Sequence, residues 1–98
     1  MHKQFNKMKT LLVSHQKELS QLGGRHLAIF GSTVRDDATE DSDVDILVDF
    51  DSKKGLFVFA DLKFYLEDIL NCEVDLVSKR ALHPALKTRI LNEAKQIF

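Results

Sequence analysis

A chain of 98 residues with 44% hydrophobic and 30% charged side chains makes one compact domain, residues 1–98, whose small core leaves no room for a second unit. The formal net charge of -1 lacks the basic footprint of a duplex-binding protein, so no direct DNA binding is expected. No apolar run is long enough for a membrane span or signal peptide, and the single Cys72 has no internal disulfide partner, which points to a reducing cytoplasm.

From the N-terminal side, Phe5, Met8, Leu12, His15, Leu19 and Leu22 keep the three-and-four spacing of one amphipathic helix, and Gly23-Gly24 supplies its stop. "HLAIF" is a short apolar run ending at Gly31 and reads as a strand, with "STVRDD" after it as a short helix. Val44, Ile46, Val48 and Phe50 alternate with Asp43, Asp45, Leu47 and Asp49, which predicts a second strand with an acidic face. The next helix, "LFVFADLKFYLEDIL", carries Phe59, Leu62, Leu66 and Ile69 on one stripe, widened by Leu56, Tyr65 and Leu70. Phe57 and Phe64 lie off that stripe, either as a partner surface or as extra core contact. "CEVDLV" repeats the strand alternation, with Val74 and Leu76 inward and Asp75 facing the same way as Glu73. Cys72 there reads as a small buried hydrophobe rather than a nucleophile. His83-Pro84 opens a last helix, proline suiting its first turn, with Leu86, Ile90, Ala94 and Ile97 as the buried face. The order α-β-α-β-α-β-α predicts an α/β (α+β) fold, a small mixed β-sheet of about three strands packed by helices.

The acids of the second strand carry the functional signal. Asp43 and Asp45 are two residues apart, so on a strand both carboxylates leave the same face. Such a pair on a core strand calls for a cation or a solvated face, because burying it uncompensated would cost several kcal/mol. Oxygen ligands favour magnesium or manganese, and Asp75 is the natural third ligand if its strand is a neighbour. Three such carboxylates make a two-metal arrangement for phosphoryl chemistry. Upstream, the Gly31-Ser32 turn follows a strand and precedes a short helix, where backbone N–H groups and a hydroxyl meet a phosphate, and Arg35 lies one turn on. Alone, a Gly-Ser turn is commonly structural and an Asp-x-Asp pair is commonly a solvated strand face. Asp36, Asp37, Glu40 and Asp41 read as a soluble loop. Gly-Ser after a strand, ten intervening residues, Asp-x-Asp on a second strand and a later Asp on a third form a constellation that chance rarely assembles.

In "GSTVRDDATEDSDVDILVDF" and "EVDLV", and in the closing "ALHPALKTRILNEA", the chain resembles the minimal nucleotidyltransferase antitoxins of the DNA polymerase beta superfamily. The resemblance covers nearly the whole chain and implies the nucleotidyltransferase fold. By it, Gly31 and Ser32 would bind nucleotide phosphate, with Arg35 reaching the same anion. Asp43 and Asp45 would hold two Mg2+ ions, with Mn2+ as a substitute. Asp75 would be the third ligand and the base for the acceptor hydroxyl. One departure is Asp36 after Arg35, where the family often has glycine. The resemblance further implies an antitoxin that transfers AMP from ATP to a tyrosine of a HEPN-type ribonuclease toxin. Two other readings use the same residues: transfer to a small molecule such as an aminoglycoside, whose pocket this length supplies only through an oligomer, and an antitoxin that occludes its partner without chemistry.

Overall fold

The computed structural model describes residues 5–35 and 43–98, with Arg35 described by its backbone. In chain order the elements are α1 (Phe5–Ser14), α2 (Gln16–Gln21), β1 (Gly24–Phe30), α3 (Ser32–Arg35), β2 (Val44–Phe50), α4 (Leu56–Leu70), β3 (Val74–Ser78), α5 (Pro84–Glu93) and β4 (Lys95–Gln96). They build a mixed four-stranded sheet in the order β3-β2-β1-β4. β2 runs antiparallel to β1 and parallel to β3, and β4 lies antiparallel along the other edge of β1.

Alternation along β2 separates the two faces of the sheet. Val44, Ile46, Val48 and Phe50 point into the main core with Leu27 and Ile29 of β1, and there meet Met8, Leu12 and Leu19 of α1 and α2 and Leu62 and Leu66 of α4. Leu62 and Leu66 are fully enclosed, so truncating either to alanine would cost about 2–5 kcal/mol. The opposite face presents Asp45, Leu47 and Asp49, and α5 lies against it: Leu47 and Ala28 share a cleft with Leu91 and Ala94. One face is thus fully roofed, and the other only partly, beside the acids.

Local chemistry sets the boundaries. The first helix is two helices rather than one. His15 Nδ1 sits 2.8 Å from the Leu11 carbonyl oxygen, the acceptor its own backbone N–H would use in a continuous helix. That N–H bonds instead to Leu12, and the chain breaks into α2. The His15 ring also lies edge-on to Tyr65, with centroids 6.0 Å apart, tying the break to α4. Helix α4 stops at Asn71, which adopts the left-handed conformation (φ 53°) that asparagine tolerates. Pro84 begins α5, and His83 Nδ1 accepts from Ala85 N–H as its cap. After β2, Asp51 accepts from Lys53 N–H and pairs with Arg25 at 3.2 Å, contacts that hold its carboxyl below the ordinary aspartate value.

Two further sequence expectations need correction. The last helix ends at Glu93, and the following residues form a fourth strand; Ile97 is buried from that extended segment, donating its N–H to Leu27 O at 2.8 Å. Leu86 is 49% exposed and Leu56 is 79% exposed, so neither belongs to the buried stripe expected of it. Phe57 and Phe64 are 88% and 59% exposed and do not widen the core contact. Cys72 is half-buried and packs against the core. Among the described residues, no helix is long and apolar enough to cross a membrane.

Candidate active site

Parallel pairing of β2 with β3 sets Asp45 directly beside Asp75 and Val44 beside Val74. In-register residues of parallel neighbours send their side chains to the same face, about 4.8 Å apart at the backbone. Across the other ladder Asp45 pairs with Phe30. Asp75, Asp45 and Phe30 therefore form one row across three strands, on the face that α5 only partly covers. Asp43 stands immediately before β2, exposed, two residues ahead of the half-buried Asp45; Asp75 is exposed.

Two interactions fix this end of the ladder. Val44 N–H donates to Glu73 O at 3.0 Å, and Val74 N–H donates to the Glu67 carboxylate at 3.0 Å. Glu67 projects from α4, so the crossover helix itself anchors the start of β3. Removing it would unpair a partly buried backbone donor next to Asp75.

The turn beyond Phe30 closes against the acids. Gly31 has φ 76°, a left-handed conformation that favours glycine, and a Cβ there would overlap the Asp45 carboxylate. Only a residue without a side chain lets the turn approach this near. Val34 N–H returns to Gly31 O at 3.1 Å, opening the short helix α3. Ser32 is half-buried at its start, and Thr33 is 4% exposed with a hydroxyl that has no hydrogen-bond partner among the described residues. Asp36, Asp37, Glu40 and Asp41 lie outside the described residues, as does the side chain of Arg35.

The structure thus brings Gly31, Ser32, Asp43, Asp45 and Asp75 to one end of the sheet. Among the described residues, no three His, Cys, Asp or Glu side chains are gathered closely enough to hold a metal ion as they stand. Carboxylates without a cation repel, and the donor set itself, all hard oxygens on adjacent backbone positions, suits magnesium or manganese. The larger apolar cleft, about 500 Å3 and lined by Phe50, Leu56, Phe59, Leu76 and Val77, lies toward the C-terminal ends of β2 and β3, away from these acids.

Sequence reasoning did not find Glu67, Glu93 or Arg89. Glu93 accepts a hydrogen bond from Gly31 N–H at 3.0 Å, and Arg89 lines the cleft of about 220 Å3 that contains Phe30, Gly31, Asp45 and Glu93. The contacts of Glu93 and Arg89 span long stretches of chain, whereas Glu67 reaches Val74 from the end of α4 to the start of β3; periodicity places all three on helices as ordinary solvated charges.

Comparison with known proteins agrees with this fold. A protein adenylyltransferase MntA from Thermococcus cleftensis is 45% identical over 87 residues, covering 88% of each chain. A solved structure assigned as a minimal nucleotidyltransferase superposes with a TM-score of 0.83 at 35% identity, covering 96% of each chain. The complex of a tri-AMPylated Shewanella oneidensis HEPN toxin with its MNT antitoxin shares the fold, with a TM-score of 0.66 at 22% identity over 93% of this chain and 71% of that one. The family model of the nucleotidyltransferase domain matches residues 12–97, and the chain belongs to that family of transferases.

Proposed function

We propose that this chain is an antitoxin that transfers AMP from ATP to a tyrosine of a HEPN-type ribonuclease toxin in the cytoplasm. The observation that carries the reading is the register of Asp45 with Asp75, beside a glycine turn that only a missing side chain permits. The similarity to a protein adenylyltransferase and to an antitoxin bound to an AMPylated HEPN toxin supports the choice of donor and acceptor.

In this reading the Gly31-Ser32 turn binds the triphosphate, with Arg35 as a further anion contact. Asp43, Asp45 and Asp75 would hold two magnesium ions. When bound, these ions would neutralise charge on the phosphates and acidify the acceptor hydroxyl. Asp75, at the exposed end of the row, takes the proton from the tyrosine hydroxyl as its oxygen attacks the α-phosphorus. The new bond is tyrosine O–P, the broken one joins the α-phosphorus to the bridging oxygen, and pyrophosphate leaves. The exposed placement of Asp75 suits an acceptor delivered on a partner's surface.

The test mixes the chain with its toxin partner, ATP and magnesium, and then weighs the partner. A gain of one or more AMP masses supports transfer. An unchanged mass in a stable complex supports occlusion instead.

A further inference from the structure

We infer that Glu93 is a positioning residue for nucleotide binding, holding the Gly31 turn in shape from the far end of the chain. The inference rests on the nucleotide-transfer reading and deepens it. Glu93 is the last residue of α5, and its carboxylate accepts from Gly31 N–H at 3.0 Å across 62 residues of sequence. A carboxylate at a helix C-terminus meets the negative end of the helix dipole, so this placement is unfavourable unless another partner compensates it. Gly31 N–H is such a partner.

The bond matters because of what Gly31 must do. Glycine samples left- and right-handed conformations almost equally, yet here φ is 76° and the turn packs on Asp45. A charge-assisted hydrogen bond to its N–H fixes the Phe30–Gly31 peptide plane. The N–H groups of Ser32 and Thr33, which begin α3 and have no partner within that helix, then face one direction. Arg89, four residues before Glu93 and so on the same side of α5, lines the same cleft with Asp45 and places a positive charge beside these carboxylates. The Gly31 N–H is thereby committed to the protein, and the triphosphate uses the donors that follow it.

The experiment titrates the parent, Glu93→Ala and Glu93→Gln with a non-hydrolysable ATP analogue at saturating magnesium, and measures melting temperature and turnover alongside. Glutamine keeps the acceptor oxygen without the charge. Glu93→Ala should weaken analogue binding about ten- to a hundred-fold, the usual scale for residues that orient a binding group. Glu93→Gln should return it to within a few-fold of the parent, and the loss should appear in KM more than in kcat. Unchanged or tighter binding by Glu93→Ala overturns the inference, the tighter case marking Glu93 as a competing anion. Failure of Glu93→Gln to recover binding also overturns it. A second measurement uses the parent alone, whatever the fate of the variants. The Gly31 amide should stay protected from exchange when the analogue binds, and loss of that protection contradicts the inference. A parent that binds no analogue sinks the nucleotide-transfer reading itself, whereas a parent that binds beside an unaffected Glu93→Ala sinks only the role of Glu93.

Discussion

Asp45 and Asp75 are direct neighbours on parallel strands, and the backbone on which they stand is pinned by Glu67 and by the Glu73 carbonyl. Two carboxylates held side by side attract a cation, and one that binds only the folded arrangement stabilises it by mass action. Magnesium or manganese should therefore raise the melting temperature of the parent, and Asp43→Asn should remove much of the gain. Thermal unfolding with and without metal checks this. An equal response in parent and variant would place the metal elsewhere.

Ser32→Ala should leave the fold intact and weaken nucleotide use. The hydroxyl is one contact among several backbone donors, and a lost hydrogen bond to a charged phosphate typically costs about 1.5–3 kcal/mol, or roughly ten- to a hundred-fold. Nucleotide titration together with the transfer rate measures the loss. If neither quantity moves, the turn is structural only.

How much of this was legible in the sequence depends on where each contact partner lies. The strand alternation of Val44 to Phe50 and the turn at Gly31 are local patterns, so the site's acids and its glycine can be read directly from neighbouring residues. The pairing of Asp45 with Asp75 is conditional in the sequence, because nothing local says that β2 and β3 are adjacent. The helix α4 that joins them supplies that parallel crossover. The split at His15 was hidden because a ring nitrogen displaces a backbone donor while the apolar spacing continues unbroken through it. The strand at Lys95–Gln96 was hidden because Ala94 and Ile97 satisfy a helical period and an extended edge equally well. Glu93 gave no local signal, since its partner is 62 residues away.

Thr33→Val should stabilise the protein. Its hydroxyl is buried one residue from Ser32 without a hydrogen-bond partner among the described residues, and an unsatisfied buried polar atom costs about 1–3 kcal/mol. Exchanging it for a methyl of similar shape should raise the melting temperature by roughly 4–8 °C for each kcal/mol recovered in a domain of this size. Calorimetry decides the matter: a lower melting temperature would mean that the hydroxyl finds a partner in solution.

The division of labour among the acids is the centre of the account. Asp45 lies against the Gly31 turn with Asp43 two residues ahead of it, whereas Asp75 stands exposed on the edge strand, where the proposed reading has the acceptor arrive. The measurement that tests this most directly sets Asp75→Asn beside Asp45→Asn, with folding checked by circular dichroism, and determines both magnesium-ATP affinity and AMP transfer. Asp75→Asn should bind magnesium-ATP within a few-fold of the parent while transfer falls about 10²–10⁴-fold, the typical loss of a general base. Asp45→Asn should damage both. If Asp75→Asn loses nucleotide affinity as severely as Asp45→Asn, its role is in binding; if it transfers at the parent rate, Asp75 is outside the site and the three-acid account is wrong.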